Sequence, residues 1–193
     1  MRIQWATVIS VAVIGAATAN AEEKIDADVY LSDSYSSARI LKQHKTIVSS
    51  IFLAAGVKIH WHDGKTVPGA FEIRVVKFAP PSASKDALAA TRIASADITI
   101  FEDRVLRRLS FAHLAEANVA PAYIVAHELA HAMQGEFRHS ETGILKAHFD
   151  SDDFTAMYFK KFAFTDWDAK LLRIGLSARS ASRQIAGADF ERK

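Results

Sequence analysis

Residues 127–131 of the chain read His-Glu-Leu-Ala-His. Shuffling this composition would give H-E-x-x-H roughly 0.015 times per chain, so chance is a poor explanation. On a helix, residues i and i+4 lie about 40° apart in azimuth and ~6 Å apart along the axis. Two imidazoles so placed, His127 and His131, converge on one ion. Glu128 sits beside the same face and can reach a water on that ion without being a ligand. Pro121 suits a helix start and Gly135 a helix end. Ile124, Val125, Leu129, Ala132 and Met133 cover much of the remaining surface, so the helix is expected to be buried. Buried polar groups left unsatisfied cost about 1–3 kcal/mol each. A metal would satisfy His127, His131 and Glu128 together.

A catalytic zinc site needs a third protein ligand and an open position. Gly135 lets the chain reverse after the helix, and His139 can swing back toward the metal, giving H-E-x-x-H-x-x-x-G-x-x-x-H. Glu141, Asp150, Asp152 and Asp153 are the alternative third ligands, with a solvated acidic loop as their simpler reading. His44, His60, His62, His113 and His148 lack comparable spacing. His60 and His62 share one face of a strand-like stretch, which reads as a half-exposed strand end.

The elements that must position these residues follow from periodicity. Residues 28–31 are short and β-prone. Apolar positions recurring at three and four predict an amphipathic helix over 36–55, stopped by Gly56. Alternation predicts strands over 57–61 and 71–76, joined by a turn, and a further strand over 97–101. A loop follows Ala79, with Pro80-Pro81, and a helical stretch is expected around 105–116. The motif helix runs from Pro121 to about Gln134. Thr165 to Asp168 resembles a capping box with Asp in place of Glu, opening a last helix that ends near Leu176. Residues 177–193, rich in Ser, Ala and Arg, are expected to form a mobile tail. The order strand, helix, three strands, helix points to one α+β domain over 22–176.

Composition narrows the functions further. With 0 cysteines, disulfide scaffolds, iron–sulfur clusters and thiol nucleophiles are excluded. Any metal must be held by His, Asp or Glu. Lys+Arg 24 against Asp+Glu 22 gives a net charge of +2 with no basic block, so no nucleic-acid partner is expected. Arg2, an uncharged apolar run over 5–17 and Ala19-Asn20-Ala21 fit a cleaved signal peptide over 1–21, with the mature chain starting at Glu22. That run is shorter than the ~20 residues of a spanning helix. Export to the periplasm or medium is expected, without stable membrane insertion after cleavage.

The stretch 124–150 resembles the zincin metallopeptidases, and among them the metzincin-type branch. There a helix supplies two His and a Glu, a Gly turn follows, and a third His closes the site. In that branch Gly and the third His follow the second His by three and six residues; here the intervals are four and eight. The longer spacing, with Gly143-Ile144-Leu145 after it, is similar to a group of uncharacterised exported bacterial metallopeptidases in which Gly-Ile-Met follows the third His. Leu145 would then replace the methionine as a hydrophobic floor, a swap that conserves volume and apolarity. The resemblance implies a single zincin-like α+β domain. A small twisted mixed sheet would pack on the long N-terminal helix and the motif helix, with a helix at the C-terminal end.

It also implies a secreted zinc-dependent metallopeptidase. Zn²⁺ on His127, His131 and His139 would keep a water in its fourth position and polarise a peptide carbonyl. Glu128 would act as general base, then pass the proton to the leaving amine. Tyr158 and His148 are candidates for a second electrophile. The strand near Ile98 is expected to border the cleft and pair with an extended peptide or protein substrate. Two other functions fit the same residues: a zincin-fold zinc-binding protein without useful catalysis, and a zinc hydrolase acting on a cell-wall amide.

Overall fold

The computed structural model describes residues 24–32, 38–63, 67–109 and 119–190. The expected signal peptide, its cleavage site and His113 lie outside them.

Five strands form one mixed sheet. They are β1 (Ile25–Ser32), β2 (Val57–Asp63), β3 (Phe71–Val76), β4 (Ala89–Arg92) and β5 (Asp97–Phe101), in the order β2-β1-β3-β5-β4. β1 pairs in parallel with both β2 and β3, and β3 in parallel with β5; β4 alone runs antiparallel, against β5. Parallel neighbours need a crossover, and α1 (Ala38–Ala54) supplies the one between β1 and β2.

Alternation does the sorting. Ala27, Val29 and Leu31 of β1, Val57 and Ile59 of β2, Phe71, Ile73 and Val75 of β3, and Ile98 and Ile100 of β5 are buried. Asp26, Asp28, His60, His62, Glu72 and Arg74 occupy the alternate positions. His60 and His62 hydrogen-bond there to Asp26 and Asp28 at 2.9 and 2.7 Å, with all four side chains at least partly exposed.

Among the described residues the remaining helices are α2 (Glu102–Leu109), α3 (Ala120–Gln134), α4 (Ser151–Tyr158) and α5 (Asp166–Phe190). α3 is the motif helix. It contacts α1, β4, β5, α4 and α5, and twelve of its fifteen residues are buried, among them Ile124, Val125, Leu129, Ala132 and Met133 as expected. Gly135 caps it in the left-handed conformation, its N–H bonded to the His131 carbonyl. Among the described residues, no helix is long and apolar enough to cross a membrane.

The structure corrects four sequence expectations. The strand near Ile98, β5, is interior with both edges paired; the edge strand is β4, which the sequence reading passed over. The helix expected at 105–116 begins earlier, at Glu102, and is described to Leu109. Asp150, Asp152 and Asp153 do not lie in a loop. They open α4, where Asp150 and Asp153 form a reciprocal capping box and both bond Lys146. Residues 177–190, expected as a tail, continue α5 without a break. Arg179 lies over the Phe71 ring at 4.8 Å, and Arg183 donates to the Gly69 carbonyl, tying this extension to the start of β3.

Two glycines fix how the C-terminal half closes on the motif helix. A Cβ on Gly175 of α5 would lie 2.2 Å from the Met133 carbonyl oxygen, so the two helices meet backbone to backbone there. Gly143 has φ +76°, and a Cβ on it would lie 2.5 Å from the Ala163 carbonyl oxygen. Both positions exclude a side chain for steric reasons.

Candidate metal centre

His127, His131 and His139 come together, their ligand atoms all within 4.8 Å of one another. They could hold a metal ion. The helix does most of the assembly: the i, i+4 pair sets Nε2 of His127 3.0 Å from Nε2 of His131. The His139 ring closes the triangle, its centroid 5.3 Å from that of His127 and 5.0 Å from that of His131. Among the described residues no other group of three or more His, Asp or Glu is so arranged.

The tautomers are dictated by the neighbours. Nδ1 of His127 donates to the Ile144 carbonyl at 2.7 Å, and Nδ1 of His131 donates to the Glu136 carbonyl at 3.2 Å. A carbonyl can only accept, so each Nδ1 carries the proton and each neutral ring presents a lone pair at Nε2. Two such lone pairs 3.0 Å apart repel unless a cation lies between or beside them. The donor set therefore fits a divalent metal, and the carbonyl partners are the kind that orient metal-bound imidazoles.

Electrostatics favour the same state. Burial, reinforced by the charges of His127, His139 and Arg138, pushes the proton affinity of His131 down to about 4, despite the Glu136 carbonyl. Burial also lowers His127, against the Ile144 carbonyl. His139 is lowered by burial and then by His127, against the pull of Glu128, with smaller lowering contributions from His148 and Arg138. All three shifts favour the neutral form that binds metal.

Glu128 stands outside the ligand cluster. Its Oε2 accepts from the Thr91 hydroxyl of β4 at 2.7 Å. Burial raises its carboxyl above the ordinary range, and neither the Thr91 bond nor His139 restores it. Thr91 had no signature in the sequence: it lies in a four-residue strand that exists through its pairing with β5.

The Gly143 turn supplies the support below. Ile144 and Leu145 are fully buried, Ile144 N–H donates to the Ala163 carbonyl, and Ser140 N–H donates to the Leu145 carbonyl at 2.8 Å. Phe149 packs against His127 with centroids 5.8 Å apart, and Phe137, 61% exposed, approaches His131 to 5.7 Å. Tyr158 stands half-exposed against Phe159 rather than in a described contact with the triad. His148 is exposed and close enough for its charge to act on His139. Glu141 is exposed.

Among the described residues, Asp168 is the one fully buried carboxylate. Burial alone would raise its pKa, but hydrogen bonds from Thr165, Ser140 and Arg138 more than offset this and hold it below the usual carboxylate range.

Compared with protein-family models and with curated proteins, the chain matches none.

Proposed function

We propose that the chain is an exported zinc-dependent metallopeptidase of zincin type. Three imidazoles whose ligand atoms lie within 4.8 Å of one another suit zinc better than the harder cations, which prefer oxygen. A bound zinc ion would supply Lewis acidity, acidifying a water and polarising a peptide carbonyl.

The chain's own groups do the rest. Ile144 and Glu136 carbonyls fix the His127 and His131 rings, so the ligands need little reorganisation. Glu128 takes a proton at its carboxylate and returns it to the leaving amine. Its raised pKa makes it a better base than a solvated glutamate, and the Thr91 hydroxyl holds one oxygen in place, leaving the other to work. β4 is an edge strand beside Glu128, and its outer edge, unpaired among the described residues, suits an extended peptide adding as a further strand.

The observation that carries this reading is Glu128: a site that only stores metal has no use for a desolvated carboxylate beside, rather than on, the ligands. Glu128→Gln keeps size and reach but cannot take a proton. It should retain one zinc per molecule while chelator-sensitive hydrolysis of a fluorogenic peptide library falls at least ~10²-fold. Undiminished hydrolysis would remove the proposed base. Export rests on residues 2–21, and N-terminal sequencing of protein from the cell envelope should read Glu22 first; an intact Met1 would contradict it.

A further inference from the structure

The three ligands are not held alike. His127 and His131 have their rings fixed by backbone carbonyls, whereas His139 is exposed and, among the described residues, no hydrogen bond holds its ring. A ligand on a loop must lose conformational freedom to bind, and that loss reduces affinity unless the loop is already fixed.

The loop is fixed on both sides of His139 by one side chain. Oδ1 of Asp168 accepts from the Arg138 guanidinium and, at 2.7 Å, from the Ser140 hydroxyl. Arg138 also donates to Ser140 Oγ at 3.1 Å, closing a triangle around the ligand's backbone. Oδ2 faces the other way, accepting from Thr165 N–H at 3.3 Å and Thr165 Oγ1 at 2.7 Å, while Asp168 N–H donates back to that hydroxyl. The Asp168 carbonyl accepts from Gln134 at the end of α3. Thus one carboxylate, 0% exposed, joins the start of α5 to the ligand loop, and the same residue's backbone joins it to the motif helix.

We propose that Asp168 is a positioning residue for the third metal ligand: its two oxygens divide between capping α5 and clamping the residues on either side of His139. The proposal rests on the reading of the triad as a metal centre. A helix cap alone does not need the second oxygen buried. Asp153, at the corresponding position of α4, uses the same Oδ2 for the cap and for Lys146, and reaches no ligand.

The test measures metal binding by the folded protein, using Zn²⁺ by competition with a chromophoric chelator and Co²⁺ by its visible absorption. Asp168→Asn should weaken Zn²⁺ binding by about 10–100-fold, the usual effect of losing a group that orients a ligand, and should alter the Co²⁺ spectrum. Because that variant also weakens the α5 cap and could fail to fold, a second one leaves α5 untouched. Arg138→Met combined with Ser140→Ala should weaken Zn²⁺ to a similar extent and alter the Co²⁺ spectrum in the same sense. Thr165→Val, which removes the cap side, should lower the melting temperature of metal-free protein and keep near wild-type affinity. Wild-type affinity and an unchanged Co²⁺ spectrum in the Arg138/Ser140 variant would overturn the clamp and leave the metal centre standing. If His127→Ala and His131→Ala also bind Zn²⁺ as tightly as wild type, the metal centre itself falls and takes the clamp with it.

Discussion

The candidate metal centre has a helical half and a loop half, and they are built by different means. His127 and His131 owe their convergence to the pitch of α3, a local property that any well-formed helix would supply. His139 owes its place to elements distant in sequence: a left-handed cap at Gly135, the Gly143 turn, and the start of α5. Local geometry brings two ligands to hydrogen-bonding distance; tertiary structure must bring the third. The difference implies that the two halves respond differently to damage.

Removing a helical ligand should have the largest effect. His131→Ala takes away the most buried imidazole of the triad and leaves a single Nε2 on α3, so stoichiometric zinc should be lost by elemental analysis. His139→Ala should weaken zinc rather than abolish it, since the helical pair survives. The melting temperature should then gain less from added zinc than in wild type, because stabilisation by a ligand follows its affinity. Equal zinc loss in both variants would erase the distinction between the halves.

Acid should probe the helical half in metal-free protein. His131 has a folded-state pKa of about 4 against an ordinary 6.5. Between those values the unfolded chain binds a proton that the native state refuses. Stability should therefore be full above about pH 6.5, fall as pH drops toward 4, and lose no more from this group below that. Denaturant titrations of chelated protein across the window should show the slope, and His131→Ala should flatten it. A slope unchanged in that variant would assign the acid sensitivity elsewhere.

The smallest effect should come from the acidic box of α4, which belongs to neither half. Asp150→Ala removes an N-cap and should cost about 1 kcal/mol in denaturant unfolding, with zinc content unchanged. Any loss of zinc would return Asp150 to the list of ligands.

The same contrast explains what could be read in advance. α1, α3, β2, β3 and β5 follow from periodicity, because each buries a face that the sequence marks every two or every three to four residues. The ligand triad was legible because Gly135 announces a reversal and His139 is the next imidazole. β4 was not: Ala-Ala-Thr-Arg has no alternation of its own, and its strand character comes from β5. α4 was missed for a different reason. Its Asp150 and Asp153 form a capping pair that competes, as a sequence pattern, with a metal-ligand reading, and only the position of Lys146 decides between them. The extension of α5 past Leu176 lacks an apolar stripe; Arg179 and Arg183 anchor it through contacts to β3 and the turn before it. Asp168 was recognised as a cap, but nothing local reveals that its other oxygen serves a loop thirty residues earlier.

The outer edge of β4 has a consequence for solubility. An unpaired strand edge is a template on which other chains can add, and folded proteins generally shorten, charge or cover such edges. A peptidase that aligns its substrate along this edge cannot cover it. Here the strand has only four residues and ends in exposed Arg92. So short a template offers few backbone hydrogen bonds to a neighbouring copy. On the proposed reading, its brevity would keep the edge open to a peptide while limiting the growth of intermolecular sheets.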